Sequence, residues 1–397
     1  MSAKLLPIDM DYVQWVMLRL LQTPSPSGRT DHVMQLVGEE IDALGMESSL
    51  TRRGLLVAEL PGERSGVDRA VVVHADTIGA MVRRCKENGR LELVPIGNHS
   101  ARFAEGARVT IFVDDLDKRY TGTVLPLLAS GHRYGDGIDS QGVGWDHVEV
   151  RVDEPVIDDV GLAALGINVG DFVAFDVHPV ITPSGYVNSR HLDDKAGVAA
   201  ALGAFKALID HSTVLPVTAH LLVTIAEEVG LGASSGIDAD MAEMLSIDTA
   251  VVAEGQTSTE HTVNIAMQDS SGPFDYHLSR RLTRLCREHE IPHRRDVYGF
   301  YRSDAASALA AGAETRAALI GFGIDASHGY ERSHLNGIRH TAELVALYLQ
   351  TELTFQQWDT SPRGDLAGFP STSVQPAEQP KMLTDEIEGD SRPSSGD

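Results

Sequence analysis

Two short, largely apolar runs constrain this chain more than anything else in it: Ala70-Val71-Val72-Val73 and Leu221-Leu222-Val223-Thr224-Ile225-Ala226. A run of this length suits a strand buried on both faces, as in a parallel sheet covered by helices. Both runs end in ionisable residues. The first delivers His74-Ala75-Asp76 and the second Glu227-Glu228. In an open α/β sheet, ligands bind beyond the carboxyl ends of the strands. Charge placed at the ends of the most apolar strands therefore marks a site.

The flanking patterns fit such a sheet. Apolar spacing through Tyr12, Trp15, Val16, Leu18 and Leu20 predicts a helix over 11–21 with Asp11 as N-cap, and a second helix covers 30–44. After residue 185 the pattern alternates. Helices are expected over 196–209, 276–290, 304–311 and 341–351, and strands over 220–225, 250–253 and 317–321. Alternation implies an α/β fold, a mixed sheet flanked by helices. Between 85 and 184 the texture changes to short β-like runs at 108–113, 147–152 and 172–175, broken by Gly, Pro and Asp. The expected organisation is a discontinuous α/β domain (1–84 and 185–355) with an inserted, mostly-β domain (85–184). The segment 356–397, rich in Pro, Ser, Asp and Glu without apolar period, is expected to be disordered.

Composition excludes several functions. The net charge of −24 disfavours nucleic acid and anionic membrane as partners, since both are bound through Lys/Arg surfaces. Cys85 and Cys286 are the only cysteines, so neither a disulfide framework nor a thiolate zinc site is indicated. No stretch approaches the roughly eighteen apolar residues of a membrane span. No secretory leader is visible near Met1, and a cytoplasmic protein is expected.

Three further segments could join the two strand ends: Asp193-Asp194 before the helix at 196, Asp248 after Leu245-Ser246-Ile247, and a late His328. Past a strand's end, Glu227 and Glu228 can reach one site from different directions, and the small residues of 229–236 permit close backbone approach. Asp193 or Asp194 alone would also be explained as a helix cap. His74 and Asp76 alternate, so both can face one side.

The ordered set His74–Val82, Asp193-Asp194-Lys195-Ala196-Gly197, Ala226–Gly230, Ser246-Ile247-Asp248, Arg302-Ser303-Asp304-Ala305 and Ser327–Glu331 resembles the M42 family of dinuclear metallo-aminopeptidases. The segments 103–107, 143–147 and 269–276 resemble the branch associated with bacterial osmoprotectant systems that make N-acetylglutaminylglutamine amide. The resemblance implies two divalent ions, zinc or cobalt, and a peptide substrate. His74 and Asp248 would complete one metal site and Glu228 and His328 the other, with Asp193 bridging. Glu227 would be the general base, Asp76 would orient His74, and Asp194 would shape the backbone beside the bridge. Mixed imidazole and carboxylate ligands suit zinc and its neighbours. Glu254 is the alternative to Asp248, and His334 to His328. Lys195 stands where the family commonly has Arg, which removes a bidentate fork. A homo-oligomer, up to a dodecamer, is also implied. The competing readings are an amidase or dipeptidase acting on a blocked dipeptide, and a non-catalytic binding protein on the same fold.

Overall fold

The computed structural model describes residues 3–115 and 118–355. Residues 356–397, expected to be a disordered tail, lie outside the described residues. Among the described residues, a nine-stranded mixed sheet forms the centre of the α/β part. Its middle is parallel: Leu215–Thr224, Gly62–His74, Met241–Val251 and Arg316–Ile324 lie side by side in that order. Antiparallel strands flank them, with Glu47–Leu50 and Leu56–Leu60 on one side and Val263–Asp269 on the other.

The central strands are apolar throughout because both faces are covered. Val71, Val73, Leu221, Val223, Leu245 and Ile247 face one core, filled from the helices Met10–Leu21, Asp31–Ala43, Leu192–Asp210 and Leu335–Leu349. The alternate residues Ala70, Val72, Leu222 and Met244 face a second core that includes Ala305 and Ala308 of the helix Asp304–Ala310. This is the period-two alternation of a strand with helices on both sides.

The expected inserted β unit is a closed antiparallel barrel ordered Gly79–Cys85, Arg90–Ile96, Val148–Val152, Arg119–Pro126, Arg108–Phe112 and Phe172–Phe175, with its own apolar core. It starts upstream of residue 85, because Gly79–Cys85 pairs with Arg90–Ile96 and closes against Phe172–Phe175. A small sheet of Val180–Ile181, Tyr186–Ser189 and Glu331–His334 accompanies the return of the chain.

Several expectations shift. The first helix is capped by Asp9, whose carboxylate accepts from the Tyr12 N–H, rather than by Asp11. Asp248 lies inside the strand Met241–Val251 rather than ahead of one at 250–253. The last helix begins at Leu335, earlier than the expected 341. No helix of the described residues is long and apolar enough to cross a membrane.

Candidate metal centre

The centre forms at the carboxyl ends of the parallel strands. His74 ends its strand in register with Thr224 of the neighbour. Beyond Thr224 a turn, closed by Leu231 N–H donating to the Ala226 carbonyl (2.9 Å), brings Glu227 and Glu228 alongside. Asp248 comes from the next strand, and His328 from the loop after Arg316–Ile324. Asp193 and Asp194 lie in the first turn of Leu192–Asp210, where both have non-helical dihedrals and the peptide between them is cis.

The two histidines approach Asp193 from opposite sides. His74 Nε2 is 3.2 Å from Asp193 Oδ1, and His328 Nε2 is 3.4 Å from Asp193 Oδ2. His328 Nε2 is also 3.4 Å from Glu228 Oε2, and His74 Nε2 is 3.9 Å from Glu227 Oε2. Ligand atoms of His74, Glu227 and Asp248 lie within 4.8 Å of one another, as do those of His74, Asp193 and Glu228. The structure thus brings His74, Asp193, Glu227, Glu228, Asp248 and His328 into one cluster.

Both imidazoles are oriented through Nδ1. His74 Nδ1 lies 3.1 Å from the Asp76 carbonyl, and His328 Nδ1 lies 2.9 Å from the Asn98 carbonyl. A carbonyl only accepts, so Nδ1 is the donor and Nε2 faces the carboxylates. This is the arrangement a metal-binding imidazole needs.

The electrostatics are those of crowded, buried anions. Burial, with neighbouring carboxylates such as Asp193 adding to it, pushes Glu228 up to about 8 and Asp248 up to about 8. Burial likewise raises Glu227 and Asp194 well above the carboxylate range. Asp193 runs the other way: burial opposes its charge, yet hydrogen bonds from His328 and His74 hold it low. Burial also opposes charge on His328, but the hydrogen bond to Asp193 and the field of Glu228 carry it up to about 11. Buried carboxylates at this density need a cation. Two imidazoles with several carboxylates are a donor set suited to divalent metal ions. The residues present fit that group.

The supporting residues have defined tasks. Asp76 is fully buried, and its carboxylate accepts from the Glu227 N–H (3.1 Å), the Glu228 N–H (3.3 Å) and the Ser27 hydroxyl (2.5 Å). It therefore fixes the backbone of the glutamate pair. Its Oδ1 is 3.6 Å from His74 Nδ1, so orientation of that ring falls first to the Asp76 carbonyl. Asp194 Oδ2 accepts from the His74 N–H at 3.3 Å. Lys195 points away from the cluster and donates to the Leu20 and Thr23 carbonyls at 2.8 and 2.6 Å. Burial pushes its pKa down to about 7. Here the side chain serves as a tether between two helices, where a fork is not required.

Of the alternatives, Glu254 is exposed on the cavity wall, outside both ligand groups. His334 caps Leu335–Leu349: its Nδ1 accepts from the Asn336 N–H (3.0 Å), and its Nε2 meets the Ser184 carbonyl (2.9 Å).

Three contributors escaped the sequence reading. Glu331, buried, accepts from the His328 N–H (2.9 Å) and the Asp193 N–H (3.2 Å), so one carboxylate locks the backbone of two cluster residues. Asp304 accepts from the Thr224 hydroxyl (2.8 Å) and the Ala233 N–H (2.6 Å). Its carboxylate leaves no room for a Cβ at Gly232, which accounts for the glycine at that position. Asn98 contributes only a backbone carbonyl, which no side-chain pattern reports. Glu331 and Asp304 did fall inside recognised motifs, and that was their one signal.

A cavity of about 550 Å³ opens over the cluster, walled on one side by Tyr298, Phe300, Tyr301 and Arg302. The volume is that of a small-ligand site.

Residues 54–344 match the family model described as M42 glutamyl aminopeptidase. The chain is 38% identical over 334 residues to YhfE of Bacillus subtilis (strain 168), a protein named as a candidate aminopeptidase, covering 84% of this chain and 96% of that one. Among solved structures, it resembles the aminopeptidase APDkam598 of the archaeon Desulfurococcus kamchatkensis (TM-score 0.79, 22% identity, 90% of this chain and 98% of that one). It also resembles the TET1 peptidase of Pyrococcus horikoshii, described as assembling into a tetrahedron or a large octahedral shell (TM-score 0.74, 22% identity, 85% and 99%).

Proposed function

This chain belongs to the M42 peptidase family, and from that premise we propose that it is a metal-dependent aminopeptidase, removing N-terminal residues from short peptides. The observation that carries this reading is Asp193, whose two carboxylate oxygens address two different histidines. His74 and Asp248 would hold one divalent ion, Glu228 and His328 the other, with Asp193 between them. Such ions, zinc or cobalt, supply an acidified water and polarise a carbonyl.

The protein's own residues do the rest. Glu227, held in place through its backbone by Asp76, takes a proton from the attacking water and returns it to the leaving amine. Burial and nearby carboxylates raise its pKa, which suits a group that must both accept and release a proton. Asp76, Asp304 and Glu331 hold the backbone that carries these groups.

We also read the protein as a homo-oligomer. Ile157 and Val160, on the rim of the barrel, are 83% and 72% exposed, and apolar residues this open are suited to a subunit contact.

The deciding experiment incubates the protein, with Co²⁺ or Zn²⁺, with free-amine peptides, N-acetylated dipeptides and dipeptide amides, followed by mass spectrometry beside a chelated control. Stepwise loss of N-terminal residues from the free-amine peptides alone is expected. Cleavage confined to the blocked dipeptides would replace this reading with osmolyte turnover.

A further inference from the structure

The wall of the cavity carries two neighbouring tyrosines in different chemical situations. Tyr298 is buried, and its hydroxyl meets Ser258 Oγ at 2.7 Å, while Ser258 in turn donates to Asp296 at 2.7 Å. Its hydrogen-bonding is complete. Tyr301 packs edge-on against that ring, with centroids 5.3 Å apart and planes at 61°. The carbonyl of Tyr301 accepts from the Ser270 N–H at 2.9 Å. Ring and backbone are therefore both held. Its hydroxyl, by contrast, is buried and makes no well-formed hydrogen bond, reaching only loosely toward the Asp248 carboxylate.

A buried hydroxyl without a well-formed hydrogen bond is destabilising, and native structures keep few of them without a use. The charged groups that this one faces are Asp248, Asp193 and Glu227, the members of the candidate centre. Tyr301 also lines the cavity above them. Two other donors lining the cavity are already engaged: Gln256 Nε2 donates to the Val297 carbonyl (3.1 Å), and His328 Nδ1 is held by the Asn98 carbonyl. A phenol carries its proton at neutral pH and can donate it in a hydrogen bond.

We propose that Tyr301 is a catalytic residue whose hydroxyl donates a hydrogen bond to the carbonyl oxygen of the scissile amide as that oxygen gains negative charge. The inference rests on the peptidase reading above. As water adds, a C–O bond forms and the carbonyl π pair moves onto oxygen. Tyr301 stabilises that charge while keeping its own proton, which leaves Glu227 as the group that moves one. A donor fixed before the reaction is effective because it needs no reorganisation when charge develops.

The test is Tyr301→Phe, which retains the ring and its packing. The Co²⁺-loaded protein is expected to lose about 10²–10³-fold in kcat/KM, mostly in kcat. Affinity for an α-aminoalkylphosphonate dipeptide analogue, tetrahedral and anionic like the intermediate, should fall by a similar factor. Affinity for the free amino acid product should not change. Co²⁺ uptake in competition with a chelator should be unaltered, and the thermal midpoint unchanged or higher, since no well-formed hydrogen bond is removed. Phosphonate affinity and kcat/KM both within twofold of the parent protein would overturn the proposal. So would weakened Co²⁺ binding with activity restored by excess metal, which would make Tyr301 a positioning residue for Asp248. A parent protein that neither cleaves peptides nor binds the phosphonate would defeat the peptidase reading itself, and this is seen before any variant is made.

Discussion

Each residue of the centre sits where its neighbours leave it one task. Glu227 faces His74 at 3.9 Å while its backbone is tied to Asp76. Glu227→Gln keeps the shape and removes the proposed base, so kcat should fall about 10²–10⁴-fold. Metal content by elemental analysis should be unchanged; retained activity would exclude Glu227 as the base. Asp76 supports both glutamates through backbone hydrogen bonds. Asp76→Asn turns one acceptor into a donor facing an N–H, and metal affinity measured by chelator competition should drop about 10–100-fold. The candidate ligands His74, Asp193, Glu228, Asp248 and His328 and the candidate base Glu227 could all be named at the level of sequence, because the ordered motifs that carry them resemble those of a known family. Tyr301 could not. Its significance lies in the lack of a well-formed hydrogen bond, which only the packed structure reveals.

At the level of elements, the far end of the sheet is secured by a second buried charge system. Arg69 and Glu243, both fully buried, lie on adjacent strands 3.2 Å apart. Arg69 also donates to the carbonyls of Tyr348, Thr351 and Glu352, and the Tyr348 hydroxyl donates to Glu243 at 2.7 Å. The pair thus pins the end of the last helix to the sheet. Glu243→Gln would strand the guanidinium charge, at a cost of about 3–5 kcal/mol in denaturant unfolding at neutral pH. Burial opposes the charge of Glu243, but Arg69 together with hydrogen bonds from Tyr348 and Thr354 outweighs it and holds the folded pKa below the ordinary carboxyl value. The stability it contributes is complete above the unfolded value of about 4.3 and is lost as pH falls through the lower folded value. The parent protein should therefore lose more stability than Glu243→Gln across that acid window. Equal acid sensitivity would count against the pair. Apolar periodicity located the main helices, yet not Glu47–Leu50, Leu56–Leu60 or Gly79–Cys85. These strands are short, half-exposed or polar, and they exist because a partner strand accepts their hydrogen bonds.

On the scale of the molecule, the barrel and the sheet meet at the centre, since the Asn98 carbonyl, from the loop that follows barrel strand Arg90–Ile96, orients His328. The buried carboxylates make bound cations a term in folding. Chelation should lower the thermal midpoint, and Zn²⁺ at a thousandfold excess over its Kd should restore about 4 kcal/mol. A midpoint indifferent to chelator and metal would argue that the cluster binds none. The exposed Ile157 and Val160 bear on assembly. Light scattering should report a multimer for the parent, and a smaller species for the Ile157→Asp, Val160→Asp double variant. A monomeric parent would dismiss the assembly.

The sequence by itself determined the α/β class, the presence of an inserted β unit and the chemical types at the centre. Apolar period and charge at strand ends are local properties that survive in one dimension. The tertiary structure decided what depends on distance. It placed Asp248 rather than Glu254 beside His74, turned His334 into a helix cap and sent Lys195 to the Leu20 and Thr23 carbonyls. It also recruited Glu331 to hold two residues far apart in the chain. Those outcomes depend on which groups are left near one another once the cores are packed, and no single segment of the chain encodes that.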